Sequence, residues 1–183
     1  MNAPVPAAAA ASTPNPASVS KFLFDISGVD LSRRLVSREE IGKVNPHRGH
    51  MALLDYVAWQ SPDLKQCVGV VKIKGDEFWV PGHFPGKPMF PGVLMIEAAA
   101  QLANYIFNVR TPISKICALM GVDDARFRAP VEVGQDLILL LDSQKWTATR
   151  FTSRVQGLVK DQIAFEVTVM GIAIAAEKQV VPD

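Results

Sequence analysis

The sequence predicts an α+β fold in which one long helix is wrapped by a curved antiparallel β-sheet. Two observations carry this expectation. Residues 91–108 form one apolar, alanine-rich run that is hydrophobic on nearly every helical face, so it must be covered on most sides. The runs "SKICALMGV", "QDLILLLDSQ", "TATRFTSRVQGLVK" and "IAFEVTVMGIAIA" follow it, and their Thr, Val, Ile and Phe content favours strands. Strands in succession, with no helix between them, argue against a βαβ architecture and for an antiparallel sheet.

Residues 1–20, "MNAPVPAAAAASTPNPASVS", are uncharged and rich in Ala and Pro, and read as a flexible tail. Residues 21–45 read as a helical adapter with two short helical starts, Asp30 and Ser37 being the N-caps. Ser37 and Glu40 have the spacing of a capping box. Residues 46–183 then read as a single domain. Its first β-rich runs are "MALLDYVAW" and "CVGVVKIK", the second partly alternating apolar with polar residues.

The 183 residues carry a formal net charge of +1, with 49% apolar and 20% charged side chains. That balance gives no global field for nucleic acid or an anionic membrane. Cys67 and Cys117 lie far apart among apolar neighbours, without metal-ligand spacing, and read as buried thiols in a reducing compartment. The nearest candidate for a membrane span, Pro91 to Phe107, contains Glu97, Gln101 and Asn104. The first basic residue is Lys21, so a positive signal-peptide start is missing. A soluble, cytoplasmic protein is expected.

The chemistry concentrates in "GHFPGKPMFPGVLMIEAAAQ", Gly82 to Gln101. Pro91 suits the first helical position, and Gly92 leaves the backbone there accessible. Glu97, Gln101 and Asn104 fall at spacings of four and three, making one polar stripe on an otherwise apolar rod. A carboxylate buried there tends to hold its proton and can serve as a general acid; alternatively Glu97 bonds only Gln101 or a neighbouring cation. The loop "PGHFPGKPMFPG" has four prolines and three glycines in twelve residues, which stiffens it. His83 is either a general base aimed by that loop or a loop histidine satisfied by a backbone carbonyl. The N–H groups of Gly92 and Val93, at the positive end of the helix, suit a developing oxyanion. Base, acid and oxyanion donor together suit proton abstraction next to a carbonyl. His47 and His50 are too isolated to argue for a metal site.

This stretch resembles the active-site signature of the 3-hydroxyacyl-[acyl-carrier-protein] dehydratases of type II fatty acid synthesis, the FabZ-like proteins with a hot-dog fold. "EEIGKVNPHRGHMALLDYV" is similar to that family's N-terminal segment, and "DDARFRAPVEVGQDLIL" to its later Phe-Arg-x-Pro-Val turn. The resemblance implies that His83 is the catalytic histidine, that Glu97, fourteen positions later, is the catalytic acid, and that the Gly92 N–H polarises the thioester carbonyl. It implies a homodimer whose subunits share each site, with His83 facing Glu97 of a second copy, and possible assembly into a hexamer as a trimer of dimers. It implies no cofactor and no metal. Phe84, Phe90 and Gln101 are the expected lining of an acyl tunnel, with Met89 a weaker candidate. Lys87, Arg110, Arg126 and Arg128 are candidates for docking an acidic acyl carrier protein. Glu rather than Asp at position 97 resembles the plain dehydratase branch, not the dehydratase/isomerase branch.

The chain departs from the family's pattern at "HRGHM", where Gly49 and His50 replace an aromatic residue and a proline, and at Tyr56, where an Arg usually follows the aspartate. Residues 1–38 are additional. Two other readings compete with dehydration: a hot-dog thioesterase, and a non-catalytic protein that binds acyl carriers.

Overall fold

The computed structural model of the protein describes residues 21–111 and 115–174. The tail expected over residues 1–20 lies outside the described residues. Seven strands form one sheet: β1 (Val36–Ser37), β2 (Tyr56–Gln60), β3 (Gln66–Lys72), β4 (Ile116–Phe127), β5 (Asp136–Trp146), β6 (Arg150–Val159) and β7 (Gln162–Ile174). Their order across the sheet is β1-β2-β3-β5-β6-β7-β4, and every neighbouring pair is antiparallel. Helix α1 (Arg38–Val44) precedes β2, and the long helix α2 (Gly92–Val109) lies between β3 and β4. The sheet wraps α2, the hot-dog arrangement that the resemblance implies.

The apolar runs of β3 and β5 are nearly continuous because the sheet is covered on both faces. Cys67, Val71, Leu137, Leu139 and Leu141 pack toward α2, against Ala98, Ala99, Leu102 and Ile106. The alternate residues Val68, Val70, Ile138 and Leu140 belong to a second core on the opposite face. Leu102 is fully buried and seats so closely over Gly69 that a Cβ there would lie 2.9 Å from a Leu102 methyl. Both cysteines are free; burial pushes both thiols up, Cys117 to about 11, so neither is a ready nucleophile at neutral pH.

The second core is closed by the segment expected to be a helical adapter. Phe22, Leu23, Phe24, Ile26, Val29 and Leu31 lie across the sheet as an irregular strap, and helix begins only at Arg38. Asp30 closes a turn, taking the Ser32 N–H at 3.0 Å, and does not start a helix. A short isolated helix is marginal in water, and docking six apolar side chains on a sheet outweighs it. Tyr56, the family departure, serves this strap: its hydroxyl donates to the Leu31 carbonyl at 2.9 Å. Ser37 does cap α1, with the reciprocal capping box to Glu40.

The run "MALLDYVAW" forms strand only from Tyr56 onward. Its first part crosses the ends of α1 and β3 and is pinned there by Asp55. That carboxylate accepts Arg38 at 2.9 Å, Lys74 at 3.0 Å and the Lys72 N–H at 2.8 Å. Burial acts to raise its pKa, but these hydrogen bonds together outweigh burial and hold it below the usual carboxylate value. A depressed folded-state pKa contributes stability that is complete above the unfolded value, near about 3.9, and is lost as pH falls through the folded one. Denaturation midpoints measured across pH should therefore drop steeply below about pH 4, and Asp55→Asn should flatten that acid limb while lowering stability at neutral pH.

Candidate active site

The loop from Trp79 to Phe90 is tied at several points. The N–H groups of Gly82 and His83 donate to the Trp79 carbonyl at 3.1 and 2.8 Å, and Phe84 and Lys87 exchange backbone hydrogen bonds around Pro85-Gly86. Met89 donates to the His83 carbonyl at 2.9 Å, and Phe90 to the Val131 carbonyl at 2.7 Å. The His83 ring is held in the same frame: its Nδ1 lies 2.9 Å from the Met89 carbonyl oxygen. A carbonyl only accepts, so Nδ1 carries the proton and the neutral ring presents a bare Nε2. The anchored nitrogen fixes the direction of the free one, so a carbonyl-satisfied ring and a ring aimed by the loop are compatible descriptions of His83.

Helix α2 begins where this loop ends. Pro91 is its N-cap, so the helix starts at Gly92, one position later than expected, and the Pro91 carbonyl takes the N–H groups of Leu94 and Met95 at 2.9 and 3.1 Å. The N–H groups of Gly92 and Val93 make no hydrogen bond among the described residues, which leaves two donors at the positive helix end. Gly92 is required by a close approach: a Cβ there would come within 2.9 Å of the Phe127 ring.

Glu97 lies one and a half turns further along. A quarter of its side chain is exposed, so it is not the buried carboxylate expected. Its Oε1 accepts the Gln101 amide at 2.8 Å, and His47 Nε2 lies 3.4 Å from the same oxygen. Gln101, only 2% exposed, is oriented without ambiguity. Its Nε2 also donates to the Met51 carbonyl at 2.6 Å, and its Oε1 accepts the Leu53 N–H at 3.0 Å. Because Gln101 donates to Glu97 Oε1, a neutral Glu97 carries its proton on Oε2. The rest of the stripe is buried as well: Asn104 donates to Asn45 at 2.9 Å, and Asn108 to the Val44 carbonyl at 2.8 Å. His47 is the residue sequence reading missed. Its signal was an unassigned polar stripe on α2, which required partners from somewhere in the chain.

His83 and Glu97 make no hydrogen bond or ion pair with each other within the chain. Val93, Ile96, Glu97 and Ala100 share one face of α2, and all remain partly exposed, Val93 at 72%. Helix α2 is thus less completely wrapped by its own sheet than its composition predicts. The expected tunnel residues do not share one cavity. Gln101 borders a cavity of about 620 Å³ with Asn45, His47 and Arg48. Phe90 is buried edge-on against Trp79, beside a smaller cavity of about 220 Å³. Phe84 is half-exposed and stacks on His83, centroids 4.0 Å apart, and Met89 is partly buried.

Of the expected docking cations, Lys87 is exposed in the His83 loop. Arg126 and Arg128 come together with Arg154 around Glu166, which pairs with Arg128. Arg110 lies at the opposite end of α2, bonded to the Leu64 carbonyl and Ser143 and set over Trp146. Among the described residues no group of three or more His, Cys, Asp or Glu could hold a metal, and no helix is long and apolar enough to cross a membrane.

Comparison with known proteins identifies the family. The chain is 34% identical over 137 residues to the 3-hydroxyacyl-[acyl-carrier-protein] dehydratase FabZ of Hydrogenobaculum sp. strain Y04AAS1, covering 73% of this chain and 92% of that protein. It is 34% identical over 131 residues to the FabZ of Desulforamulus reducens, covering 71% and 92%. The dehydratase heterocomplex ApeI:P from Xenorhabdus doucetiae shares the fold, with a TM-score of 0.64 at 16% identity over 73% of this chain and 90% of that one. The family model described as a FabA-like domain matches residues 45–168, which include the His83 loop, α2 and six of the seven strands in whole or in part. The chain therefore belongs to the FabA-like domain family.

Proposed function

We propose that the protein dehydrates (3R)-3-hydroxyacyl-[acyl-carrier-protein] to the trans-2-enoyl thioester, as a hydro-lyase of fatty acid biosynthesis. The observation that carries this reading is the arrangement along one loop and helix: an anchored histidine with a bare Nε2, two unpaired N–H groups, and a carboxyl whose free oxygen is Oε2. The thioester oxygen accepts the Gly92 N–H, with Val93 beside it, which acidifies the α-carbon. His83 Nε2 takes an α-proton, and Glu97 Oε2 gives its proton to the β-hydroxyl. The C–O bond breaks, water leaves, and the α,β double bond forms. The carboxylate left behind is met by the Gln101 amide. These steps need neither cofactor nor metal.

The working site belongs to a homodimer. Two exposed apolar features support this: the Val93–Ile96–Ala100 face beside Glu97, and the edge strand β4. That strand ends the sheet with Ile116, Leu119, Met120, Val122 and Phe127 all exposed. A long apolar edge left open is a template for pairing with a second chain. Closure against a second copy would bring its His83 to this Glu97 and complete the acyl tunnel from Phe84, Phe90 and Gln101. Further assembly into a trimer of dimers is compatible with this pairing. Lys87 beside the loop, and Arg126 and Arg128 with Arg154, offer the positive surface for an acidic carrier; the position of Arg110 makes it the weakest of the four. Free thiols at both cysteines suit a cytoplasmic setting.

Incubation with 3-hydroxyacyl carrier protein should yield enoyl product, followed by mass spectrometry of the phosphopantetheine arm. His83→Ala and Glu97→Gln should each lower kcat at least about a hundredfold. Release of free thiol without enoyl product would make the protein a thioesterase instead, and tight carrier binding without turnover would make it a binding protein. Gly92→Ala should cut kcat/KM about tenfold with the fold intact, because the added methyl displaces the Phe127 ring next to the thioester donor.

A further inference from the structure

We propose that His47 is the positioning residue for Glu97: a neutral imidazole whose Nε2–H fills Glu97 Oε1 and so directs the acid's proton to Oε2. This rests on the dehydratase reading of Glu97, and it concerns a residue outside the loop and helix that carry the reaction.

The backbone around His47 is fixed from both sides. Asn45 ends α1 with its N–H on the Ile41 carbonyl at 2.8 Å, and its side-chain amide donates to the Gln101 carbonyl at 2.9 Å. The Arg48 guanidinium then gathers the carbonyls of Asn45 at 2.7 Å, His47 at 2.9 Å and Gly42 at 2.8 Å. The imidazole has little freedom to point elsewhere, and it places Nε2 3.4 Å from Glu97 Oε1.

The other ring nitrogen settles the tautomer. His47 Nδ1 is, among the described residues, the one buried side-chain nitrogen or oxygen without a hydrogen-bond partner. A proton on Nδ1 would be a donor sealed from both water and acceptors, whereas a bare lone pair is the cheaper group to leave unpaired. The proton therefore sits on Nε2 and faces the carboxyl. Burial lowers the pKa of His47 and Arg48 lowers it further, against the opposing pull of Glu97. Both effects favour the neutral ring, which turns an Nε2–H toward Oε1 across 3.4 Å without imposing an ion pair. A charged imidazolium at this distance would favour the ionised carboxylate and remove the acid. With the Gln101 amide donating to Oε1 at 2.8 Å and the His47 Nε2–H turned toward the same oxygen across 3.4 Å, Oε1 is the acceptor side in both protonation states and Oε2 exchanges the proton.

The test uses the full-length enzyme and three readouts. Nitrogen-15 NMR of the wild-type ring should show a neutral imidazole protonated at Nε2 at pH 7. His47→Ala should lower kcat about tenfold to a hundredfold with KM changed less than about twofold, because orientation is lost in the reacting complex and not in binding. His47→Gln, which keeps an N–H donor near Oε1, should recover a large part of that loss. An imidazolium signal, an Nδ1–H tautomer, an unchanged kcat in His47→Ala, or equal losses in the Ala and Gln variants would each overturn the proposal. The NMR readout needs no turnover, so failure of the dehydratase reading and failure of this proposal are seen separately.

Discussion

A polar stripe on a largely buried helix dictates where the segments around it must lie. Glu97, Gln101, Asn104 and Asn108 cannot face the apolar sheet without partners, because a buried amide left unpaired costs about 1–3 kcal/mol. Most partners come from one stretch, Val44 to Leu53, and the Lys115 backbone supplies an N–H and a carbonyl to Asn108. This explains why α1 and the irregular run after it sit where they do. It also explains why Met51 to Asp55 stay out of the sheet despite β-rich composition: their hydrogen-bonding groups are committed to Gln101, Arg38 and β3. The same contacts that satisfy the helix hold Glu97 by one oxygen and leave the other open.

The other half of the chemistry is built on a different principle. Proline and backbone hydrogen bonds stiffen the His83 loop, and the loop feeds directly into α2, so the proposed base and the proposed thioester donors are adjacent in sequence. Glu97, the proposed acid on the same helix, has its back to His47 and Gln101 and its open side on a face that the chain leaves partly uncovered. A single chain therefore carries each component but does not bring His83 and Glu97 into contact. The apolar residues beside Glu97 and along β4 are what a second copy would cover.

Much of this was legible in local pattern. The length of α2, the order of strands after it, the Ser37 capping box and the loop that aims His83 each follow from spacing or turn chemistry within a few residues. What was not legible depended on contacts between distant segments. The strap over Phe22 to Leu31 has helix-compatible sequence, and only the apolar far face of the sheet selects the irregular, turn-containing form. Tyr56 reads as an anomaly until its hydroxyl is seen holding that strap. His47 gave no local sign because the carboxyl it faces, Glu97, lies fifty residues away on α2. Arg110 looked equivalent to Arg126 and Arg128 as a cation, yet an 18-residue helix of about 27 Å separates it from the His83 loop.

The proposed reaction uses His83 of one copy and Glu97 of another. Co-expressing His83→Ala and Glu97→Ala chains under separate tags, each inactive alone, tests it most directly. A mixed dimer would hold one site with both groups intact, so random pairing should restore about a quarter of wild-type activity. Mixed dimers that form but remain as inactive as either parent would show that each chain supplies both groups to its own site.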